Sequence, residues 1–269
     1  MVDLAAKRAA FRALHENGCF VLPNPWDVGG AKLLARLGFK AIASTSAGFA
    51  WSRGRPDNKV TLDDLLIHLA ELSTATGLPL NADFENGFAR EPEAVAANVF
   101  RAARAGVSGL SIEDFTGDAD APLYEADLAV ERIAAAKAAL APEDVLLVAR
   151  TEGVLHGVIG LGEAIERAVR FADAGADCIY IPGLRSKEDI AAVVAAVAPK
   201  PVNVLVARPG FTVAELADLG VRRVSTGGAL AVRAWAAFMA AAQELAADGT
   251  FTSFGQPGPS ISLNGLFAD

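Results

Sequence analysis

One pattern runs through most of the chain: a short β-rich run, a turn, then a longer Ala/Leu-rich amphipathic stretch. The unit recurs about eight times between Phe20 and Ala247. Alternation of this kind is typical of parallel βαβ units, in which each helix carries the chain back to begin the next strand. About eight such units are what a closed α/β barrel needs. The pattern therefore predicts an α/β fold, a (β/α)₈ TIM-type barrel.

The predicted strands are Phe20–Pro23, Ala41–Thr45, Pro79–Asp83, Gly109–Asp114, Val145–Thr151, Cys178–Pro182, Pro201–Val206 and Arg222–Thr226. The predicted helices between them are Val28–Leu37, Leu62–Thr76, Pro92–Ala105, Leu128–Ala141, Leu161–Ala174, Ser186–Val197, Val213–Leu219 and Ala229–Ala247. An open doubly wound sheet alternates in the same way, but it normally carries a Gly-rich phosphate loop after its first strand. Here that segment reads LPNPWDVGG and lacks G-x-G-x-x-G, which favours the barrel.

Composition indicates one domain, residues 1–269, with a large apolar core. Hydrophobic residues make up 52% of the chain and charged residues 21%, and barrels commonly reach this length as one unit. The net charge of −8 and the absence of a Lys/Arg run argue against nucleic acid as a partner. No secretory leader and no stretch long enough to cross a bilayer is recognisable, so we expect a cytoplasmic protein without a membrane partner.

Polar side chains gather at the predicted strand ends. Residues two apart on a barrel strand share a face. In the segment NADFE this rule sends Ala82 and Phe84 to the helix layer, and Asn81, Asp83 and Glu85 to the barrel axis. We therefore expect two carboxylates at the end of the third strand.

The same rule points Glu113, Arg150 and Asn203 inward on three further strands. Three carboxylates, an Arg and an Asn then converge on one mouth. Burying several like charges together is costly unless a cation or protons compensate. Oxygen ligands without clustered His or Cys suit a hard ion, Mg²⁺ or Mn²⁺. Alternatively, these acids are loop caps or salt-bridge partners, with Arg150 the counter-ion of Glu113.

Other reactive residue types are few. Cys19 and Cys178 have no metal-like spacing, and we interpret both as buried structural thiols. Of the three histidines, His15 and His68 fall in helices and are predicted to lie at the surface. His156 lies in a Gly-flanked loop beyond Arg150 and is a candidate for substrate contact or proton transfer.

Two loops complete the candidate site. Small residues follow the second strand in the run Ser44–Gly48, whose backbone N–H groups could cradle a carboxylate. Asp57 follows in the segment GRPDN, a loop that turn chemistry alone would also explain.

Together these segments resemble the isocitrate lyase/phosphoenolpyruvate mutase superfamily over nearly the whole chain. The motifs that carry the resemblance are STSAG, GRPD, NADFENGF in place of D-x-D-x-G-[FY]-G, IED and ART. The resemblance implies a metal-dependent enzyme that makes or breaks a C–C or P–C bond next to a 2-oxo acid, through an enolate. It also implies a homo-oligomer, a dimer or homotetramer, in which the last barrel helix swaps between subunits.

The resemblance also implies roles for particular residues. Mg²⁺ (or Mn²⁺) would be held directly or through water by Asp57, Asp83, Glu85 and Glu113. The substrate carboxylate would be bound by Thr45, Ser46 and Ala47 and paired with Arg150, and Asn203 matches a substrate-contacting Asn of the lyase branch. Asp57, Glu113 and Arg150 would therefore take part in catalysis, with Tyr124 or solvent as a proton source.

Departures from the family pattern narrow the reaction. Methylisocitrate-type lyases carry K-[KR]-C-G-H after the ED pair, whereas the loop Phe115–Tyr124 has no thiol or His. The mutase branch has a His just after the sixth strand, where this chain has Pro182 and Gly183. We therefore favour a Mg²⁺-dependent lyase or decarboxylase of a small 2-oxo dicarboxylate. The alternatives are phosphonopyruvate hydrolase or mutase-type P–C chemistry, and a non-catalytic 2-oxo acid binding protein.

Overall fold

Eight short parallel strands form one sheet in the computed structural model, which describes residues 3–255 and 262–268. The strands are β1 (Phe20–Leu22), β2 (Ile42–Ala43), β3 (Leu80–Asp83), β4 (Gly109–Glu113), β5 (Leu146–Arg150), β6 (Cys178–Tyr180), β7 (Val202–Leu205) and β8 (Arg223–Ser225). Their order is β1-β8-β7-β6-β5-β4-β3-β2. The Ala43 N–H donates to the Pro23 carbonyl at 3.0 Å and so links the two outermost strands. The predicted (β/α)₈ barrel is confirmed.

The helices are α1 (Leu4–Leu14), α2 (Val28–Arg36), α3 (Ser46–Ser52), α4 (Leu62–Ala75), α5 (Pro92–Arg104), α6 (Ala126–Leu140), α7 (Leu161–Asp173), α8 (Lys187–Val197), α9 (Val213–Asp218), α10 (Ala229–Asp248) and α11 (Leu263–Phe267). Every predicted strand and barrel helix is present, with ends within two residues of the prediction. Several helix starts are fixed by side-chain caps, as at α9, where Thr212 and Glu215 form a capping box. Helix α3 was not predicted, because its sequence of small residues indicated a turn.

Helix α1 closes the N-terminal end of the barrel. Phe11 on this helix is fully buried among inward-facing apolar residues of β1, β5 and β6. Its ring lies so close to Gly109 that a Cβ there would come within 2.5 Å of the Phe11 Cε1 atom. Because this end is plugged, a small molecule can reach the interior only from the C-terminal ends of the strands.

A hydrogen-bonded polar layer fills the middle of the barrel. The Nε of Arg223 donates to Asn203 Oδ1 at 2.8 Å, and its Nη1 donates to Asn81 Oδ1 at 3.2 Å. The Asn203 amide in turn donates to Ser225 Oγ at 2.9 Å. Asn81 and Asn203 therefore point inward, as alternation predicts, but both amides are occupied by protein partners. Burial lowers the pKa of Arg223 from its usual value.

The prediction that His15 and His68 lie at the surface is wrong. His15 contacts the edges of the Phe11 and Phe20 rings, and its Nδ1 lies 2.8 Å from the Phe11 carbonyl oxygen. His68 stacks on Phe49 at a centroid distance of 3.9 Å. Both are buried, and burial lowers the pKa of His15 to about 3 and that of His68 to about 4. A neutral imidazole can occupy an apolar contact face, so helical periodicity alone could not place them.

Helix α10 is packed loosely against the rest of the chain. Ala231 is its one buried residue, whereas Trp235, Phe238 and Met239 are exposed. With Trp51 this helix lines an apolar cavity of about 630 Å³. None of the helices in residues 3–255 and 262–268 combines the length and the apolar character needed to cross a membrane.

The buried His68 predicts an acid-dependent loss of stability. Below pH 6.5 the unfolded chain protonates this group, whereas the folded chain does so only near pH 4. Its contribution to the free energy of unfolding therefore falls as the pH drops through that window, by about 2 kcal/mol between pH 7 and pH 5. His68→Phe keeps a ring on Phe49 and removes the titration, so urea unfolding should show a weaker pH dependence by that amount. Parallel curves for the two proteins would contradict this account.

Candidate active site

The ends of four neighbouring strands bring three of the predicted site residues, and Tyr180 with them, to one level of the barrel. Asp83, Glu113, Arg150 and Tyr180 are the last residues of β3, β4, β5 and β6. Glu113 pairs in register with Arg150, and Arg150 with Tyr180. Catalytic residues of this fold come from the C-terminal ends of several strands. The site therefore lies opposite the end that α1 closes.

Arg150 is the centre of a charged network. Its Nη1 lies 3.3 Å from Asp83 Oδ1, and its Nε lies 3.3 Å from Glu113 Oε2. The same Nε donates to Glu152 Oε1, and the guanidinium lies 5.0 Å from the centre of the Tyr180 ring. Burial alone would lower the pKa of Arg150, but the carboxylates, Glu152 foremost, outweigh it and hold that pKa well above its usual value. Arg150 is therefore always charged.

The acidic side chains of the network are strongly desolvated. Burial raises the pKa of Glu85 to about 8, and the nearby Asp83 and Asp57 add to the shift. Burial also raises the pKa of Glu113 well above its usual value, an effect that Arg150 opposes. For Asp57, which lies on an exposed loop, desolvation of the carboxyl group and the charge of Asp83 raise the pKa. These shifts favour the protonated form of Glu85 at neutral pH, because this part of the barrel holds more carboxyl groups than one arginine can balance as anions.

The carboxylates at this end of the barrel do not form a complete set of metal ligands. Within the described residues, no three His, Cys, Asp or Glu side chains converge as a ready-made metal cluster. Instead, Asp83 is divided between Arg150 and the Ser46 N–H, which donates to its Oδ2 at 2.9 Å. The prediction that Asp57, Asp83, Glu85 and Glu113 hold a metal remains a prediction.

Helix α3 brings the small-residue segment against this cluster. Thr45 caps the helix, because its Oγ1 accepts from the Gly48 N–H at 3.3 Å. Ser44 supports the same region through its Oγ, which accepts from the Asp83 N–H at 2.8 Å. Thr45, Ser46 and Ala47 therefore adjoin Asp83, although the Ser46 N–H already has a carboxylate partner.

Glu152 connects Arg150 to His156 and was not among the site residues predicted from the sequence. The second oxygen of its buried carboxylate, Oε2, lies 3.4 Å from His156 Nε2. The His156 ring stacks on Phe115 at a centroid distance of 4.3 Å. Glu152 stands two residues after Arg150, so the alternation rule that located Arg150 could also have found it.

Two other predicted residues are placed differently. Tyr124 is buried in the apolar layer around the barrel, with the guanidinium of Arg132 at 3.8 Å from its ring centre. Asn203 lies in the polar middle layer, bonded to Arg223 and Ser225. Neither side chain is among the contacts of Arg150, so the structure does not bring these two residues into the charged network.

The chain matches known proteins over most of its length. The family model of phosphoenolpyruvate phosphomutase matches residues 11–246. The chain belongs to the isocitrate lyase/phosphoenolpyruvate mutase superfamily. The oxaloacetate decarboxylase of Paraburkholderia xenovorans is 30% identical over 232 residues, which cover 83% of this chain and 75% of that protein. Oxaloacetate decarboxylase is by its name a carbon–carbon lyase, and this chain is an enzyme of that superfamily.

Solved structures show the same relationship. A Burkholderia cenocepacia J2315 protein, provisionally described as a lyase or mutase, is 50% identical with a TM-score of 0.94, covering 99% of this chain and 97% of its own. A phosphonopyruvate hydrolase, solved with oxalate and Mg²⁺, is 28% identical with a TM-score of 0.84, covering 95% and 92%.

The network predicts that the charge of Arg150 supports the fold. Arg150→Met leaves the buried acids uncompensated and should lower the free energy of unfolding by about 3 kcal/mol. Arg150→Lys keeps the charge and should cost about 1 kcal/mol or less. Urea unfolding at neutral pH in EDTA measures both. Equal losses in the two variants would mean that packing, not charge, is what Arg150 contributes.

Proposed function

We propose that this enzyme is a Mg²⁺- or Mn²⁺-dependent lyase or decarboxylase that cleaves a small 2-oxo dicarboxylate through an enolate. The observation that carries the proposal is Arg150, a guanidinium fixed among desolvated carboxylates at the open end of the barrel. The similarity to an oxaloacetate decarboxylase supports this reaction class.

The residues present fit a hard divalent cation. The available side-chain donors are carboxylate oxygens, which Mg²⁺ and Mn²⁺ prefer. Burial is the main cause of the raised pKa values of Glu85 and Glu113, but Asp83 adds to both shifts, and a bound cation would relieve that repulsion between carboxylates. Mg²⁺ usually takes one or two carboxylates and keeps several waters, so a complete protein cage is not required. The Mg²⁺ bound to the similar phosphonopyruvate hydrolase supports this assignment.

Arg150 would bind and orient the substrate. Its planar guanidinium matches a carboxylate at two points, and Glu152 and Glu113 hold it in place. The adjoining segment Thr45–Ala47 would form the other wall of the carboxylate site. Lewis-acid stabilisation of the enolate charge is what Mg²⁺ supplies when bound.

We assign proton handling to the pair of Glu152 and His156. The enolate left by C–C cleavage must be protonated, and an imidazole is suited to that step near neutrality. Glu152 orients His156 through its Nε2, and Phe115 holds the ring face. Tyr124 stays a prediction as the donor, but His156 is better placed because Glu152 joins it to Arg150.

Phosphonopyruvate hydrolysis is the second candidate, favoured by the fold similarity to a phosphonopyruvate hydrolase. A non-catalytic 2-oxo acid binding protein is the third reading from the sequence. The homo-oligomer that the resemblance implies also remains a proposal, with the exposed apolar face of α10 as the surface that a second copy would cover.

The test is turnover of oxaloacetate, phosphonopyruvate and alkyl-substituted 2-oxo dicarboxylates, with release of CO₂, other carbonyl products and phosphate followed separately. We expect C–C cleavage that EDTA abolishes and Mg²⁺ restores. Arg150→Lys should lower kcat/KM by about ten- to a hundredfold, because it loses the two-point carboxylate contact. Arg104→Lys, an exposed change on α5, is the matched control and should have no effect.

Phosphate release from phosphonopyruvate without C–C cleavage would replace this proposal with the P–C reaction. Tight binding without turnover of any 2-oxo acid would favour the binding protein. Turnover that survives EDTA would remove the metal from the account.

A further inference from the structure

A second cavity lies beside the charged network at the same end of the barrel. It measures about 390 Å³ and is lined by the loops that follow β6 and β7, together with Leu155. Leu155 belongs to the loop that follows β5, and His156 lies in that loop as well. The C-terminal ends of barrel strands are where this fold binds its substrates, so the cavity is in the position of a substrate subsite.

The cavity adjoins the reaction site directly. Leu205, the last residue of β7, lines it. A Cβ at Gly227 would lie 3.1 Å from Leu205 Cδ1, and Gly227 also lines a small polar cavity with Asp83 and Arg150. The side chain of Leu205 therefore lies close to the polar cavity while it forms part of the wall of the larger one. A ligand whose head contacts Arg150 could extend past Leu205.

The lining has two kinds of chemistry. Leu155, Leu184 and Phe211 are apolar, whereas Arg185 and Arg208 are cationic. No acidic residue lines this cavity, and neither arginine forms an ion pair in the described part of the chain. The chain as a whole carries a net charge of −8. Both arginines are exposed, and because no acidic side chain lines the cavity they give it a local positive charge that would attract an anion.

We propose that this cavity, which we term the distal pocket, binds a second carboxylate of the substrate through Arg185 and Arg208, with a hydrocarbon segment of the substrate lying on Leu155, Leu184 and Leu205. The proposal rests on the proposed function and narrows its substrate class to 2-oxo acids whose released fragment carries the second carboxylate on a hydrocarbon segment. The small polar cavity, of about 30 Å³, has no room for a hydrocarbon segment. The distal pocket is the space that distinguishes longer substrates from short ones.

The test compares the binding of two ligands that differ only at the far end, measured by calorimetry on the full chain with Mg²⁺ present. The first, 2-oxoadipate, has a terminal carboxylate, and the second, 2-oxohexanoate, has a methyl group there. We expect wild type to bind 2-oxoadipate about tenfold more tightly, as a charge-assisted contact predicts. Arg185→Gln/Arg208→Gln should reduce that preference to about threefold or less. The control Arg104→Gln removes a positive charge elsewhere on the surface, on α5, and should keep the preference.

Oxalate serves as the reference, because it has a 2-oxo acid-like head and no tail. Its affinity should be the same in wild type, in Arg185→Gln/Arg208→Gln and in the control variant. If the proposed function is wrong, oxalate should not bind. If only the distal pocket is wrong, oxalate should bind, but wild type should bind 2-oxoadipate and 2-oxohexanoate equally well. Equal affinity of wild type for that pair, including no binding of either, overturns the proposal. A loss of preference in Arg104→Gln as large as that in the double variant also overturns it.

Discussion

The site depends on one partly buried guanidinium. Arg150 stands at the end of β5 between Asp83 and Glu113 of the two preceding strands, with Glu152 of its own segment closing the group. The cost of holding these carboxylates out of water is severe unless positive charge compensates. Arg150 supplies one such charge and leaves the region acidic. A site built in this way is suited to a cation and to an anionic substrate together.

The barrel makes this arrangement possible by fixing where polar groups can be. Phe11 of α1 seals the N-terminal end, and Arg223 with its two asparagine partners fills the middle layer. Each buried amide and guanidinium of that layer is used within the protein, so the middle is structural. At the C-terminal end, within the described residues, carboxyl groups outnumber the arginine that lies among them. The structural polar layer and the charged site occupy different levels of the barrel axis, because side chains on each strand alternate between the interior and the helix layer.

The sequence was informative where periodicity and strand alternation decide the outcome. It predicted all eight strands, and it identified Asp83, Glu113 and Arg150 as inward neighbours because each ends an apolar strand. Features that depend on tertiary packing were harder to predict from the sequence. His68 is buried because Phe49 offers it a stacking face, and helix α3 forms because Thr45 caps a run that, taken locally, resembles a turn. The burial of Tyr124 beneath Arg132 depends on a contact between a loop and α6. Such contacts are not encoded in local spacing.

We propose that the acidic cluster, formed by Asp57, Asp83, Glu85 and Glu113, receives a divalent cation and does not serve to stabilise the barrel. The most direct measurement is the Mg²⁺-dependent rise in Tm of wild type and of Asp83→Asn, with the surface change Asp127→Asn as control. Wild type and the control should rise with Mg²⁺ by ligand linkage, which reaches about 2.7 kcal/mol at one hundred times Kd. Asp83→Asn should show little rise, yet in EDTA it should be at least as stable as wild type. A Mg²⁺-dependent rise in Asp83→Asn equal to that of wild type, or a marked loss of stability of this variant in EDTA, would contradict the account.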